Sequence, residues 1–418
     1  MKVTLINHSD TLGGASVVTY RLMQALQQEG VDARLLVLMK SSDDDKVEQV
    51  CSRRRRNVAF FTERINIFLR NGLSKPNLFK ISTASHGVSV ASHPLVKNAD
   101  VIVINWINQG MMSLNEIEAV TQMGKPVVWI MHDMWCLTGV CHHALECDRY
   151  KQQCGNCQFI SGGKVKNDLS HSTWLRKRNL YEKSNIHFVA VSQWLADKAR
   201  ESLLLHDANI SVIHHAFPVE FYKTQPSSQV PSQLLSLPQN RKLIVMGAAR
   251  LDDPIKGFDY AIEAVNTFVE RYPQKAEDCQ LVLFGDIRDA SLLEKIKMNY
   301  SYIGRVNDHK TLRHLYAMAS VVLSTSNYET LGATLIEGQA AGCVPVAFAH
   351  DGRKDIIDHK VNGYIADYKS PQSIADGIAW AVETSPDREM LHRSVRDRFA
   401  SQVIAKKYID LIKSLLEK

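Results

Sequence analysis

The stretch NYETLGATLIEGQAAGC, residues 327–343, joins a strand-like apolar run, Val321–Thr325, to a helix predicted to open near Gly332. It spaces two acids eight residues apart, with Glu329 in the loop and Glu337 about a turn inside the helix. The first amides of a helix have no intrahelical partner and lie at the positive end of its dipole, so Leu331, Gly332 and Ala333 would favour an anion. Gly332 would let a phosphate approach the backbone closely. Two carboxylates beside such a helix mouth suit a ligand that carries both hydroxyls and phosphates. Taken alone, the same residues also fit an ordinary loop acid and a helix-surface acid.

Strand, tight turn and helix recur on either side. Before residue 217 the strand candidates are Val3–Asn7, Arg34–Leu38, Asp100–Ile104, Pro126–Met131, His187–Val191 and Ile210–His214, with helical patterns such as Ser16–Gln28 between them. After a Pro/Ser/Gln-rich pause at 218–240 the alternation restarts with Leu243–Gly247, Gln280–Phe284, Ser301–Ile303, Val321–Thr325 and Val344–Phe348. Apolar runs alternating with helices predict parallel, doubly wound α/β sheets. The expected division is a domain at 1–217, a linker at 218–240, a second domain at 241–395, and a carboxyl-terminal helix from 396 to 418 that packs back on the first domain. In open α/β sheets ligands bind beyond the carboxyl ends of strands, and two such domains in tandem predict a central cleft.

Composition sets the outer limits. A chain of 418 residues, 45% hydrophobic and 22% charged, reads as a soluble two-domain protein. No apolar run approaches a bilayer span, and MKVTLINHSD lacks a signal-peptide pattern, which predicts a cytosolic protein. The net charge of +6 is mild, and the basic residues do not interleave with aromatics, so no nucleic-acid partner is expected. Eight cysteines in a cytosolic chain argue against a disulfide framework, although five of them crowd into residues 136–157.

Further candidates lie at strand ends. In GAARLDDPIKG, residues 247–257, Arg250 and Lys256 follow the second domain's first strand, where two cations would neutralise a diphosphate. Surface ion pairing fits them equally, and Asp252–Asp253 before Pro254 reads as a turn. In SDTLGGAS, residues 9–16, Gly13 and Gly14 give a tight turn after the first strand, and His132–Asp133 follows the strand Pro126–Met131 directly.

Together these pieces resemble the retaining GT-B glycosyltransferases of family 4. The resemblance rests on Glu329-x7-Glu337 within ETLGATLIEGQAAGCVPVAF, on GAARLDDPIKGFDYAIEA, LFGD at 283–286, YIGRV at 302–306 and the DG at 351–352, and on LGGA at 12–15, HD at 132–133 and AVSQWLADK at 190–198. It implies a GT-B fold of two Rossmann-like domains and a nucleotide-sugar donor, with no resident cofactor and no metal. It further implies a saccharide or lipid-linked acceptor in cell-surface polysaccharide biosynthesis. By resemblance Arg250 and Lys256 hold the donor pyrophosphate, Glu337 the ribose hydroxyls, and Glu329 with the amides of Thr330, Leu331 and Gly332 the sugar and phosphate. Arg305 and Val306 would border the nucleobase, Gly13 and Gly14 lie beneath the diphosphate, and His132 stands beside the donor sugar as a catalytic residue. Where many members carry Asn-Gly, this chain has His215–Ala216. Other classes with this architecture, a sugar-nucleotide 2-epimerase or a non-catalytic binding subunit, are disfavoured by the Glu-x7-Glu context and by the presence of Arg250, Lys256 and Glu329. A double displacement through Glu329 is the alternative chemistry.

Three weaker signals remain. RRRRNVAFFTERINIFL, Arg53–Leu69, carries five Arg against one Glu, with Val58, Phe61, Ile65, Phe68 and Leu69 on one helical face. It reads as a peripheral contact with the cytosolic face of a membrane, or as a core helix with a solvated basic side. Cys141, Cys147, Cys154 and Cys157 fit either zinc or packed free thiols, because only Cys154–Cys157 has ligand-like spacing. Trp106 and Asn108 stand at a strand end where they would border an acceptor.

Overall fold

The computed structural model describes residues 1–160, 167–223, 230–306 and 308–417. The chain forms two compact units: Met1–Ala216 with Ser401–Lys418, and Phe217–Ala400.

The first unit is built on seven strands: β1 (Lys2–Ser9), β2 (Asp32–Met39), β3 (Val47–Gln49), β4 (Val101–Ile104), β5 (Val127–Met131), β6 (Ile186–Ala190) and β7 (Asn209–Val212). Their order is β3-β2-β1-β4-β5-β6-β7, and every pairing is parallel. β4 and β5, VIVI and VVWIM, are buried along their whole length, which is why they read as unbroken apolar runs.

The second unit holds β8 (Lys242–Arg250), β9 (Cys279–Asp286), β10 (Tyr300–Tyr302), β11 (Ala319–Ser324), β12 (Val344–Phe348) and β13 (Tyr364–Ala366). Their order is β10-β9-β8-β11-β12-β13, again all parallel. This is the 3-2-1-4-5-6 order of a Rossmann sheet, whose ligand crevice opens where the winding reverses, here between β8 and β11. The corresponding point of the first sheet lies between β1 and β4.

Three boundaries differ from the sequence expectation. β3 and β13 are three-residue edge strands too short to give an apolar run. The carboxyl-terminal helix is two helices, Arg388–Phe399 and Ser401–Leu416, broken at Ala400, whose backbone is extended at φ −56 and ψ 143. The first belongs to the second unit and the other packs on the helix Gly14–Gln28 of the first. The segment 218–240, expected as a linker, groups with the second unit from Phe217 onward. Its helix Val219–Lys223 packs on the helices Ala333–Ala340 and Arg388–Phe399, while 224–229 lie outside the described residues.

Candidate active site

In the second unit the loops after β8 and β11 are stitched together at the switch point. Asp253 caps the short turn Pro254–Lys256 by accepting from the Ile255 amide at 3.1 Å. Gly257 follows with φ 61, and a side chain there would meet the Thr325 carbonyl at 2.1 Å, so the turn presses on the end of β11. Thr325 Oγ1 donates to the Gly257 carbonyl at 2.9 Å, and the Asn327 amide donates to Ile255 at 2.7 Å. These contacts deliver Lys256 Nζ to 2.9 Å from Glu329 Oε2. The Glu329 carboxylate raises the Lys256 pKa above its ordinary value, which keeps the ammonium charged.

Glu329 is held from behind. Its amide donates to Asp351 Oδ2 at 2.7 Å, and its carbonyl accepts from Gly352 at 3.2 Å. Asp351 in turn receives Arg353 Nε at 2.9 Å and Nη2 at 3.1 Å, a two-point pair with no side-chain exposure. Burial pushes the Asp351 carboxyl up to about 7, and the Arg353 guanidinium opposes that rise. Gly332 caps the helix Ala333–Ala340 at φ 109 without a side-chain cap, a conformation that a β-carbon would strain. The Leu331 side chain is buried. Glu337 is only 8% exposed, which removes the reading of a helix-surface acid.

The other expected residues are spread more widely. Arg250 pairs with Asp252 at 3.3 Å and Asp253 at 3.1 Å, so that acidic pair serves the arginine. Arg305 and Val306 follow β10, two strands from β8, with Arg305 Nη1 3.4 Å from Asp286. Gln233, from the segment expected as a linker, donates to the Ile303 carbonyl at 2.6 Å and shapes that loop.

In the first unit Gly13, at φ 90, precedes the helix Gly14–Gln28, and a β-carbon on either glycine would meet nothing within 4 Å. His132 follows β5, and its Nε2 lies 3.1 Å from Asn105 Oδ1, which also accepts from Thr19. His132 Nδ1 lies 3.2 Å from His215 Nε2, and the two rings stack at 5.2 Å. Because Asn105 Oδ1 only accepts, His132 carries its proton on Nε2 and His215 donates to Nδ1. Burial lowers the His132 pKa to about 4 and that of His215 well below the ordinary value, so both are neutral. Asn105 was not singled out from sequence; its one signal was its place directly after β4.

Asp133 accepts from Trp106 Nε1 at 3.0 Å and pairs with His142 at 2.7 Å. Burial would raise its carboxyl, but the His142 imidazole holds it well below the usual range. The cysteine-rich loop thus supplies a partner to the His-Asp pair. All eight cysteines are free, and among the described residues no three His, Cys, Asp or Glu are arranged to hold a metal ion. Burial raises the thiols of Cys154 and Cys157 to about 11.

Comparison with known proteins joins both halves of the chain to one group. The family described as Glycosyl transferases group 1 matches residues 233–398. An uncharacterized glycosyltransferase of Methanocaldococcus jannaschii is 32% identical over 39% of this chain and 43% of its own length. A glycogen synthase of Mycoplasma mobile is 26% identical over 43% of this chain and 40% of its own. The chain thus spans less than half the length of these two relatives. The solved structure of Anabaena HepE with UDP and glucose, at 17% identity, has a TM-score of 0.62 over 99% of this chain and 100% of that one, a likeness of GT-B fold. Glycosyltransferase Family 4 itself matches residues 12–221, half of the 418, and the chain therefore belongs to that family.

Proposed function

We propose that the chain moves a sugar from a nucleotide-sugar donor to a saccharide or lipid-linked saccharide, with retention at the anomeric carbon, in cell-surface polysaccharide biosynthesis. The observation that carries this reading is the Lys256–Glu329 pair at the β8/β11 switch point, beside the uncapped helix mouth at Gly332 and the buried Glu337. As the bond from the anomeric carbon to the phosphate breaks, its electron pair passes to the phosphate oxygen. Lys256, Arg250 and the amides of Thr330 to Gly332 neutralise that charge, the largest catalytic term for such a step. The acceptor hydroxyl bonds to the same face and gives its proton to the departing phosphate. Glu329 orients the sugar, Glu337 holds the ribose, Arg305 and Val306 border the base, and Gly13 and Gly14 leave room for the diphosphate. His132, held by Asn105 and His215, serves as a catalytic residue.

Charge neutralisation falls to the chain's own cations, with no metal role and no resident cofactor. A nucleophilic Glu329 is disfavoured because the family likeness assigns that acid to holding the donor sugar. Work at the cytosolic face of a membrane is supported by the outward-facing apolar residues of the helix Arg53–Arg70; no helix among the described residues is long and apolar enough to cross a bilayer. The test is a thermal-shift screen of UDP-, GDP- and ADP-sugars, followed by NMR of the product formed from the best binder. Stabilisation by one nucleotide sugar and a product that keeps the donor's anomeric configuration are expected. An inverted product, or no stabilisation by any of them, would overturn the proposal.

A further inference from the structure

The helix Arg53–Arg70 is turned inside out. Its buried residues are Ala59, Glu63, Arg64 and Ile67, two of them charged. Glu63 Oε1 accepts from the amides of Thr83 and Ala84 at 3.3 and 3.0 Å, and Arg64 donates to the carbonyls of Leu78 and Ile81 at 2.6 and 3.2 Å. These bonds fix the helix with its apolar side outward. Val58, Phe61, Ile65 and Leu69 are 54–66% exposed along one stripe, and Leu73 and Phe79 beyond the helix are exposed as well. A run of large apolar side chains left in water marks an interaction surface.

Beside the first turns of this helix lies a groove of about 650 Å³, closed on its other side by residues 86–94. Arg54, Arg55, His86 and His93 line it with Ser89, Ser92 and Thr62, whose own hydroxyl is taken by the Val58 carbonyl, and it opens onto Val58 at the head of the stripe. Among the described residues no acidic one lines it. Neither Arg54 nor Arg55 has a carboxylate partner among the described residues, whereas His93 lies 4.0 Å from Glu48. Two guanidinium forks and two hydroxyls in one concavity match the several acceptor oxygens of a phosphate, and the positive end of the helix dipole adds to them.

We propose that this groove docks the phosphate headgroup of an anionic membrane lipid while the stripe from Val58 to Leu69 enters the acyl layer beside it. The inference rests on the membrane reading above and adds a specific headgroup site to it. Diffuse attraction would respond to surface charge alone. A built phosphate site responds to the chemistry that carries the charge.

The test compares flotation with phosphatidylcholine vesicles made anionic by phosphatidate or by oleate, matched in zeta potential. Wild-type protein should bind the phosphatidate vesicles more tightly. In Arg54→Gln/Arg55→Gln that preference should vanish, and binding to phosphatidate vesicles should weaken by roughly thirtyfold, about fivefold for each arginine. Ile65→Ser/Leu69→Ser should weaken binding to both vesicles alike. Both arginines are exposed, so their loss leaves the core intact, and unchanged melting with UDP confirms it. Equal binding of the two vesicles by wild type, or a preference that survives in the arginine variant, overturns the headgroup site and leaves peripheral attachment standing. Binding to neither vesicle removes both.

Discussion

Lys256 Nζ and Glu329 Oε2 meet at 2.9 Å across adjacent strand ends, so the cation assigned to the leaving phosphate and the acid assigned to the donor sugar form one ion pair. Neither side chain is fully buried, at 32% and 24% exposure, and an arriving diphosphate competes with Glu329 for the ammonium. Lys256→Ala should lower turnover by roughly a hundredfold or more, since one preorganised contact to developing charge is worth ~2.7–4 kcal/mol. Glu329→Gln separates the two chemistries. A sugar-orienting acid leaves measurable turnover, whereas losing a covalent nucleophile costs on the order of a millionfold. Steady-state kinetics of both variants decide the point, and normal turnover in Lys256→Ala would remove the lysine from the mechanism.

Glu337 lies inside the helix Ala333–Ala340 and is 8% exposed, so its carboxylate has little water to replace a lost partner. If it grips the ribose hydroxyls, Glu337→Ala should weaken nucleoside diphosphate binding by roughly 1.5–3 kcal/mol, the scale of hydrogen bonds to a charged group. Calorimetry with UDP and GDP measures the loss. Unchanged affinity for the preferred nucleotide would move the ribose elsewhere.

Asp351 and Arg353 form a fully buried two-point pair that also anchors the Glu329 amide. Asp351→Ala strands the guanidinium and should cost about 3–5 kcal/mol of stability. Asp351→Ala/Arg353→Met removes both charges and should recover part of that loss, although Glu329 remains without its support. Urea denaturation reads the stability, and donor affinity reads the displacement of Glu329. A single variant as stable as wild type would show that the pair is dispensable.

The residues of the second-domain site were legible because a strand, a glycine and two acids at fixed spacing carry their own chemistry. The support behind them was not. Asp351 belonged to a quoted DG, but its hold on Glu329 spans 22 residues of chain and exists only once β11 and β12 are side by side. The break at Ala400 has no Gly or Pro to announce it, because tertiary packing divides that helix between the two units. Periodicity likewise found the apolar face of Arg53–Arg70 without showing which way it points. That direction is fixed by Glu63 and Arg64 bonding to the backbone of residues 78–84.

His215, which stands where many family members have Asn, stacks on His132 and donates to its Nδ1. Burial lowers the His132 pKa to about 4 and that of His215 well below 6.5. In the unfolded chain both return to about 6.5. As pH falls below that value the unfolded state takes up protons that the folded state refuses, so stability is full above about 6.5 and declines towards 4. Each such histidine contributes a slope of about 1.4 kcal/mol per pH unit in that window. His8, lowered to about 4 by burial, adds its own slope in both proteins, so the comparison with a variant isolates His215. His215→Asn should flatten the decline between pH 6.5 and 4 by about 1.4 kcal/mol per unit, while stability at pH 8 changes only by the lost stacking and hydrogen bond. Urea midpoints at four pH values for both proteins provide the measurement. Parallel curves would mean that His215 titrates alike in the folded and unfolded states, and the neutral histidine pair would have to be abandoned.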